Sequence, residues 1–323
     1  MTRPISKKNT FNRLDNLGKF LGSFHVAHQS TFFEELIVQS FPIILHLPFF
    51  DITDDDSTIA YRVTWNGSRN LRTRAPGGGP DGIGRGRGFN IIIEATLKTG
   101  TKQWSQEFAI SLKHARDTND QYLHVNPELI ITVLVTPAIH DYTYNSVKHN
   151  NQSNPYKIIP IETIILKKLV ETSRLAFTLR HLDIRDFFNN IINELFSSYD
   201  CNDYRKRSIS VVNNWQKEVL QLEKKTIIPI KSYHVMRKIN RNHISTSEIL
   251  RDLANDKFIK KYSEKVKEGF GAEIINQCIV QESLGKVLSK INYAEHIFAP
   301  VPISDFRSRC KWRSLALENF PPD

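Results

Sequence analysis

The stretch GGGPDGIGRGRGFNIIIEATLKTGTKQWSQEFAISLKH, from Gly77 to His114, decides the fold. Pro80-Asp81 stands in a glycine-rich loop. Asn90-Ile91-Ile92-Ile93-Glu94 then reads as a short buried strand that ends on a carboxylate. After Lys98-Thr99-Gly100 the pattern turns helical, with Gln103 and Glu107 four residues apart on one face. Asp81, Glu94 and Glu107 can thus converge at one end of a sheet. A few carboxylate oxygens, completed by water and phosphate, are how proteins hold Mg²⁺ for phosphoryl transfer.

Upstream, residues 28–42 predict a helix capped by Ser30 or Thr31 and ended by Pro42, with Phe33, Leu36, Ile37 and Phe41 as its buried stripe. Glu34 falls inside that stripe and Glu35 points away; a lone Glu there is ordinarily a partly exposed or capping residue. Residues 51–57 form an acidic loop without the Gly and Glu positions of a calcium loop. Ile59 to Trp65 alternates as a strand does, and Asn66-Gly67 turns the chain. Gly77 to Gly88 holds seven of the 14 glycines, with neither a Walker lysine nor a dinucleotide-site context. Arg85 and Arg87, spaced by glycine, are candidate phosphate contacts in a hairpin or loop able to approach DNA; a plain surface loop reads equally well.

Downstream, residues 129–136 are a continuous apolar run, as in a strand covered on both faces. Tyr142 to Pro155 reads as a polar loop and 157–161 as a further strand. Helices follow over 162–180, 183–198 and 205–225, and Pro229 breaks the pattern, which places a boundary near 200–228. Ser245 and Glu248 form a possible capping box at a helix start, with helices near 245–255, 257–268 and 271–292. A small helical or winged-helix module would fit there. The expected organisation is a loose arm at 1–24, a domain built on these strands with trailing helices at 25–228, and a basic helical region at 229–323 that binds DNA or docks a subunit.

The ordered residues of the opening stretch resemble a known family. A loop Asp followed by a strand-borne Glu is the core of the PD-(D/E)xK nucleases. Ile93-Glu94-Ala95-Thr96-Leu97, Gly100, Gln103, Glu107 and Lys113-His114 look like the AlwI and BstNBI type IIS restriction and nicking endonucleases, in which x-Thr follows the strand Glu. Val135 to Ile139 with Thr143, and Ile158 to Ile161 before a helix, look like that family's next strands. The resemblance spans roughly residues 25 to 200. It implies an α/β fold with a restriction-endonuclease-like core, a mixed sheet flanked by helices, followed by a smaller, mainly helical C-terminal region. It implies hydrolysis of DNA phosphodiesters with Mg²⁺, Mn²⁺ serving as a substitute. Asp81 and Glu94 would be direct metal ligands, and Glu107 would hold a metal-bound water or second metal. Gln103 would orient water or Glu107, and Glu34 would be a fourth carboxylate from the first core helix. Thr96 stands where the wider fold has its water-activating Lys; Lys98, on the same strand face, is the candidate substitute.

Composition agrees with a soluble globular protein of 323 residues. No apolar run approaches the roughly 18 residues that span a bilayer, and the N-terminus lacks a signal-peptide core. Cys201, Cys278 and Cys310 are odd in number and far apart, which fits a reducing, cytoplasmic setting and no zinc pattern. Residues 1–200 hold 22 Lys+Arg against 20 Asp+Glu, and residues 201–323 hold 22 against 14. The basic C-terminal part suggests phosphate binding, or simply a solvated basic face. Arg237, Lys238 and Arg241 form its densest cluster and are candidate DNA contacts. The expected partners are double-stranded DNA, a second copy or a second endonuclease subunit, and a cognate methyltransferase, with no membrane. An endonuclease subunit of a transposition machine and a non-catalytic DNA-binding protein are the alternative readings.

Overall fold

The computed structural model describes residues 30–45, 62–65, 79–85, 89–176, 181–239, 244–270, 289–292 and 297–299. The arm at 1–24, the acidic loop, Arg87 and Arg241 lie outside them. The isoleucine run forms β3 (Asn90–Ala95), buried at every position. On one side it pairs in parallel with β4 (Ile130–Thr136), also wholly buried, and β4 pairs in parallel with β5 (Lys157–Glu162). On the other side β2 (Gly82–Arg85) pairs antiparallel with β3, and β1 (Arg62–Trp65) pairs antiparallel with β2. The five-stranded mixed sheet has the order β1-β2-β3-β4-β5. Strands apolar at successive positions, as β3 and β4 are, need cover on both faces.

That cover comes from helices. The first, α1 (Ser30–Leu45), buries Phe33, Leu36, Ile37, Val38, Phe41 and Ile44. It lies so close to β2 that a Cβ on Gly82 would stand 2.9 Å from Val38 Cγ1 and 3.2 Å from Ile93 Cδ1. Glycine at 82 is what this packing requires. Pro42 lies inside α1 instead of ending it. Proline forfeits one backbone bond there, and the buried Ile44 carries the apolar stripe past it. Successive strand residues face opposite sides, so Ile93 faces α1 while Ile92 joins Ile83, Ile130, Tyr156 and Ala115 in a second cluster. Ala115 belongs to α2 (Ala109–Thr118), which continues from a π-helical segment at Gln103–Phe108.

The expected polar loop after Tyr142 is instead a helix, α3 (Asp141–Ser153). Its buried side is Thr143, Tyr144, Val147 and Asn151, too polar a stripe to announce itself. Asn151 works as a substitute strand edge. Its amide nitrogen donates to the Ile158 carbonyl at 2.7 Å and its oxygen accepts from Ile158 N at 3.0 Å, satisfying the outer side of β5. The next helices are α4 (Thr163–Leu175), α5 (His181–Ser197) and α6 (Cys201–Ile239). Tyr204 on α6 donates to the Pro160 carbonyl at 2.8 Å, and Arg205 pairs with Glu162 at 2.6 Å. Pro229 also lies within its helix, with Ile228 buried beside it.

The chain clusters into two units that part within α6, between Gln216 and Lys217. The first holds the five-stranded sheet. The second holds the end of α6, then α7 (Thr246–Asn255), α8 (Lys257–Phe270) and a three-stranded antiparallel sheet of β6 (Ile244–Ser245), β7 (Ser289–Asn292) and β8 (Ile297–Ala299) in the order β6-β8-β7. The Ser245–Glu248 capping box forms at the start of α7. The helix expected over 271–292 does not extend through 289–292, which is strand β7. Among the described residues, no helix is long and apolar enough to cross a membrane.

Candidate active site

The site follows from the parity of β3. Glu94 is two residues from Ile92, so it emerges on the α2 face, and Asp81 emerges there because it is two residues from Ile83. The Asp81 carboxylate accepts from Ala95 N at 2.8 Å, which fixes the loop Asp against the end of the strand that carries Glu94. Glu94 is buried, and its Oε1 lies 2.7 Å from Nδ1 of His114 on α2. Glu107 reaches the same edge from the π-helical segment and pairs with the Lys98 ammonium. π-helical turns are uncommon and concentrate at functional sites.

Electrostatics show how close these groups are. Burial pushes the Asp81 carboxyl up to about 8, helped by the charges of Glu94 and Glu34, against the lowering effect of the Ala95 N–H, with a smaller push from Glu107. Burial also holds Glu94 well above the usual carboxylate range, reinforced by Glu107 and Glu34. Burial lowers His114, although Asp81 pulls it the other way. Burial thus works against the charge on both Glu94 and His114, the two groups that share this hydrogen bond. Asp81, Glu94 and Glu107 therefore stand at one end of the sheet, and the charge of Glu34 is felt by both Asp81 and Glu94. Glu34, half-buried on α1, belongs to that group; the Glu35 side chain lies outside the described residues.

The donor set is all oxygen, with Glu94 buried and Asp81, Glu107 and Glu34 half-buried, which suits a hard divalent cation. Among the described residues, no three acidic, histidine or cysteine side chains form a closed metal-ligand group. Glu94 engages His114, and Glu107 engages Lys98, through one carboxylate oxygen each, Oε1.

Gln103 is bonded chiefly to the loops around it. It is fully buried, and its amide nitrogen donates to Thr136 Oγ1 at 2.8 Å, to the Ala138 carbonyl at 2.9 Å and to the Lys98 carbonyl at 3.1 Å. Its oxygen accepts from His140 N at 2.8 Å. Both amide hydrogens are thereby engaged, and the oxygen keeps one lone pair beyond the bond from His140. Gln103 staples the loop after β4 to the loop after β3, and so sets the floor of the site. Thr96 is buried and accepts from Lys98 N at 3.0 Å, which turns the chain so that Lys98 reaches Glu107.

Two features escaped the sequence reading. His114 stood only as part of a resemblance, yet its spacing of seven from Glu107, two helical turns, marks the same face. Trp104, 42% exposed, and Tyr142, 59% exposed, lie beside the Gln103 staple with ring centroids 6.3 Å apart, and His140 stacks on Tyr142. Of the proposed DNA contacts, Arg85 lies in β2 and Arg237 and Lys238 in α6, with side chains outside the described set.

Residues 44–170 match the family model of the AlwI restriction endonuclease. Among solved structures, the small subunit (R.BspD6I2) of the heterodimeric restriction endonuclease R.BspD6I is similar, with 16% identity and a TM-score of 0.43, over 62% of this chain and 98% of that one. No curated protein matches the chain. The matched span, 44–170, carries the five-stranded sheet and Asp81, Glu94 and Glu107, and over it the chain is similar to the AlwI restriction endonuclease.

Proposed function

We propose that the chain is a metal-dependent type II restriction endonuclease, IIS-like, that hydrolyses phosphodiester bonds of double-stranded DNA. The observation that carries this reading is the cluster of Asp81, Glu94, Glu107 and Glu34 at one sheet edge, inside an AlwI-like segment. Asp81 and Glu94 would hold Mg²⁺, or Mn²⁺ in its place, and Glu107 would add a third carboxylate. The ion supplies Lewis-acid stabilisation of the charge that develops on the phosphate.

The chain's own groups do the rest. The Ala95 N–H fixes Asp81, and the hydrogen bond with His114 fixes Glu94. Lys98, exposed beside Glu107, is the ammonium available to the phosphate when Glu107 turns inward. It takes the place that Thr96 leaves without an amine. One carboxylate cluster serves one phosphodiester at a time, so cutting both strands calls for a second copy or a second endonuclease subunit. A methyltransferase in the same system would protect the host site.

The test is plasmid cleavage by the purified protein in Mg²⁺, read by run-off sequencing, with Asp81→Ala and Glu94→Ala beside the wild type. The reading expects a rate loss of orders of magnitude in both variants, with DNA binding kept. Wild-type cleavage by either variant would sink it.

A further inference from the structure

Of the two modules expected for the C-terminal part, helical or winged-helix, the order of the described elements in the second unit favours the latter. The end of α6 leads into the short strand β6, then α7 and α8, then the hairpin β7–β8, whose second strand pairs with β6. Among the described residues, 271–288 lying outside them, helix, strand, two helices and a hairpin closing back on the first strand is an order that winged helices share. The two central helices are joined through Asp256 alone. Its N–H donates to the Leu253 carbonyl at 3.2 Å to close α7, and its carboxylate accepts from Ile259 N at 2.8 Å to open α8. The pair is therefore fixed in angle. Ile249 and Leu253 of α7 are buried, as are Ile259, Tyr262 and Val266 of α8.

The outer face of α8 is distinctive in what it carries. Lys257, Lys260, Glu264, Lys267 and Glu268 are all exposed and fall within an arc of roughly 100° on the helix. No described apolar side chain is exposed on this helix. Protein-binding surfaces are poor in Lys and Glu and rich in aromatic anchors, so this face argues against docking to another protein. Three ammonium groups suit phosphates, and a glutamate can accept from the cytosine amino group in the major groove. Residues 217–323 carry 19 Lys+Arg against 13 Asp+Glu, the same sign as the face.

We propose that α8 is the groove-reading helix of this chain, with Lys257, Lys260 and Lys267 on phosphates and Glu264 facing base edges. The proposal rests on the reading of the chain as a DNA endonuclease and supplies its sequence preference. The experiment uses the full chain and a pool of random 30-base-pair duplexes, with binding measured in EDTA at several salt concentrations. The wild type is expected to enrich one sequence. Lys257→Ala, Lys260→Ala and Lys267→Ala should keep that sequence and each flatten the log–log salt slope by about 0.9. Glu264→Gln should keep the slope and change the preferred base at one position. All four side chains are exposed, so folding is not at stake, and circular dichroism checks it. A triple lysine variant with the wild-type slope, or a Glu264→Gln variant with the wild-type preference, would overturn the assignment of α8. If the wild type cuts DNA and those variants change nothing, α8 fails and the endonuclease reading stands. If the wild type enriches a sequence through α8 but never cuts, the endonuclease reading fails and α8 stands.

Discussion

Replacing Asp81 by Asn should stabilise the metal-free protein. The carboxyl rises from 3.8 to about 8 in the folded state, chiefly through burial. A carboxyl raised on folding binds its proton more tightly in the native state, so its stabilising contribution is complete below about pH 4. That contribution is lost as pH climbs to about 8. A shift of about four pH units at about 1.4 kcal/mol each sets a ceiling near ~6 kcal/mol. Asp81 keeps some solvent contact, and screening brings the working figure to about half, on the order of 3 kcal/mol. Asn cannot ionise, yet its side-chain oxygen can still accept from Ala95 N, so the anchor at 2.8 Å survives. In EDTA the variant should melt several degrees above wild type at pH 8, with the gap closing towards pH 4. Adding Mg²⁺ should raise the wild-type melting temperature and leave Asp81→Asn nearly unmoved, since the ligand charge is gone. Thermal and urea melts across pH 4–8, with and without Mg²⁺, measure all of this. A variant no more stable than wild type at pH 8 would refute the picture of repelling, buried carboxylates.

Glu107→Ala should reduce metal-dependent cleavage of plasmid by orders of magnitude with little change in stability, since it removes a partly exposed ion pair with Lys98 and a candidate ligand together. Lys98→Ala should leave the melting temperature nearly unchanged while slowing single-turnover cleavage; unchanged turnover would take Lys98 out of the mechanism. Gln103→Ala should cost about 3 kcal/mol in urea melts, because it strands the buried partners at Thr136, Ala138 and His140. Activity that falls only in step with unfolded fraction would confirm its role as a staple. Gly82→Ala should cost about 1–3 kcal/mol by forcing Val38 and Ile93 apart from β2, read by the same melts.

What could be read from the sequence divides along physical lines. Glu94 was legible because a carboxylate at the end of Ile91-Ile92-Ile93 can be buried only at a cost, and such a cost points to function. Asp81 and Glu107 followed from their spacing to that strand, and the structure brings all three to one edge. The role of Gln103 was not legible. An amide can bond to anything, and only the folded chain surrounds it with Lys98, Thr136, Ala138 and His140. Helix α3 was missed for the same reason, since Asn151 buries its amide on Ile158, a partner unseen until β5 is in place. Pro42 and Pro229 misled because a local rule about a missing N–H was outweighed by buried isoleucines beyond or beside them. Apolar runs and the charges at their ends can be read along the chain because water alone sets their cost. Hydrogen-bonded staples cannot, because their value depends on the partner that the fold delivers. In this chain apolar strands place the carboxylates, and the Gln103 amide and the Ala95 N–H hold the loops that aim them.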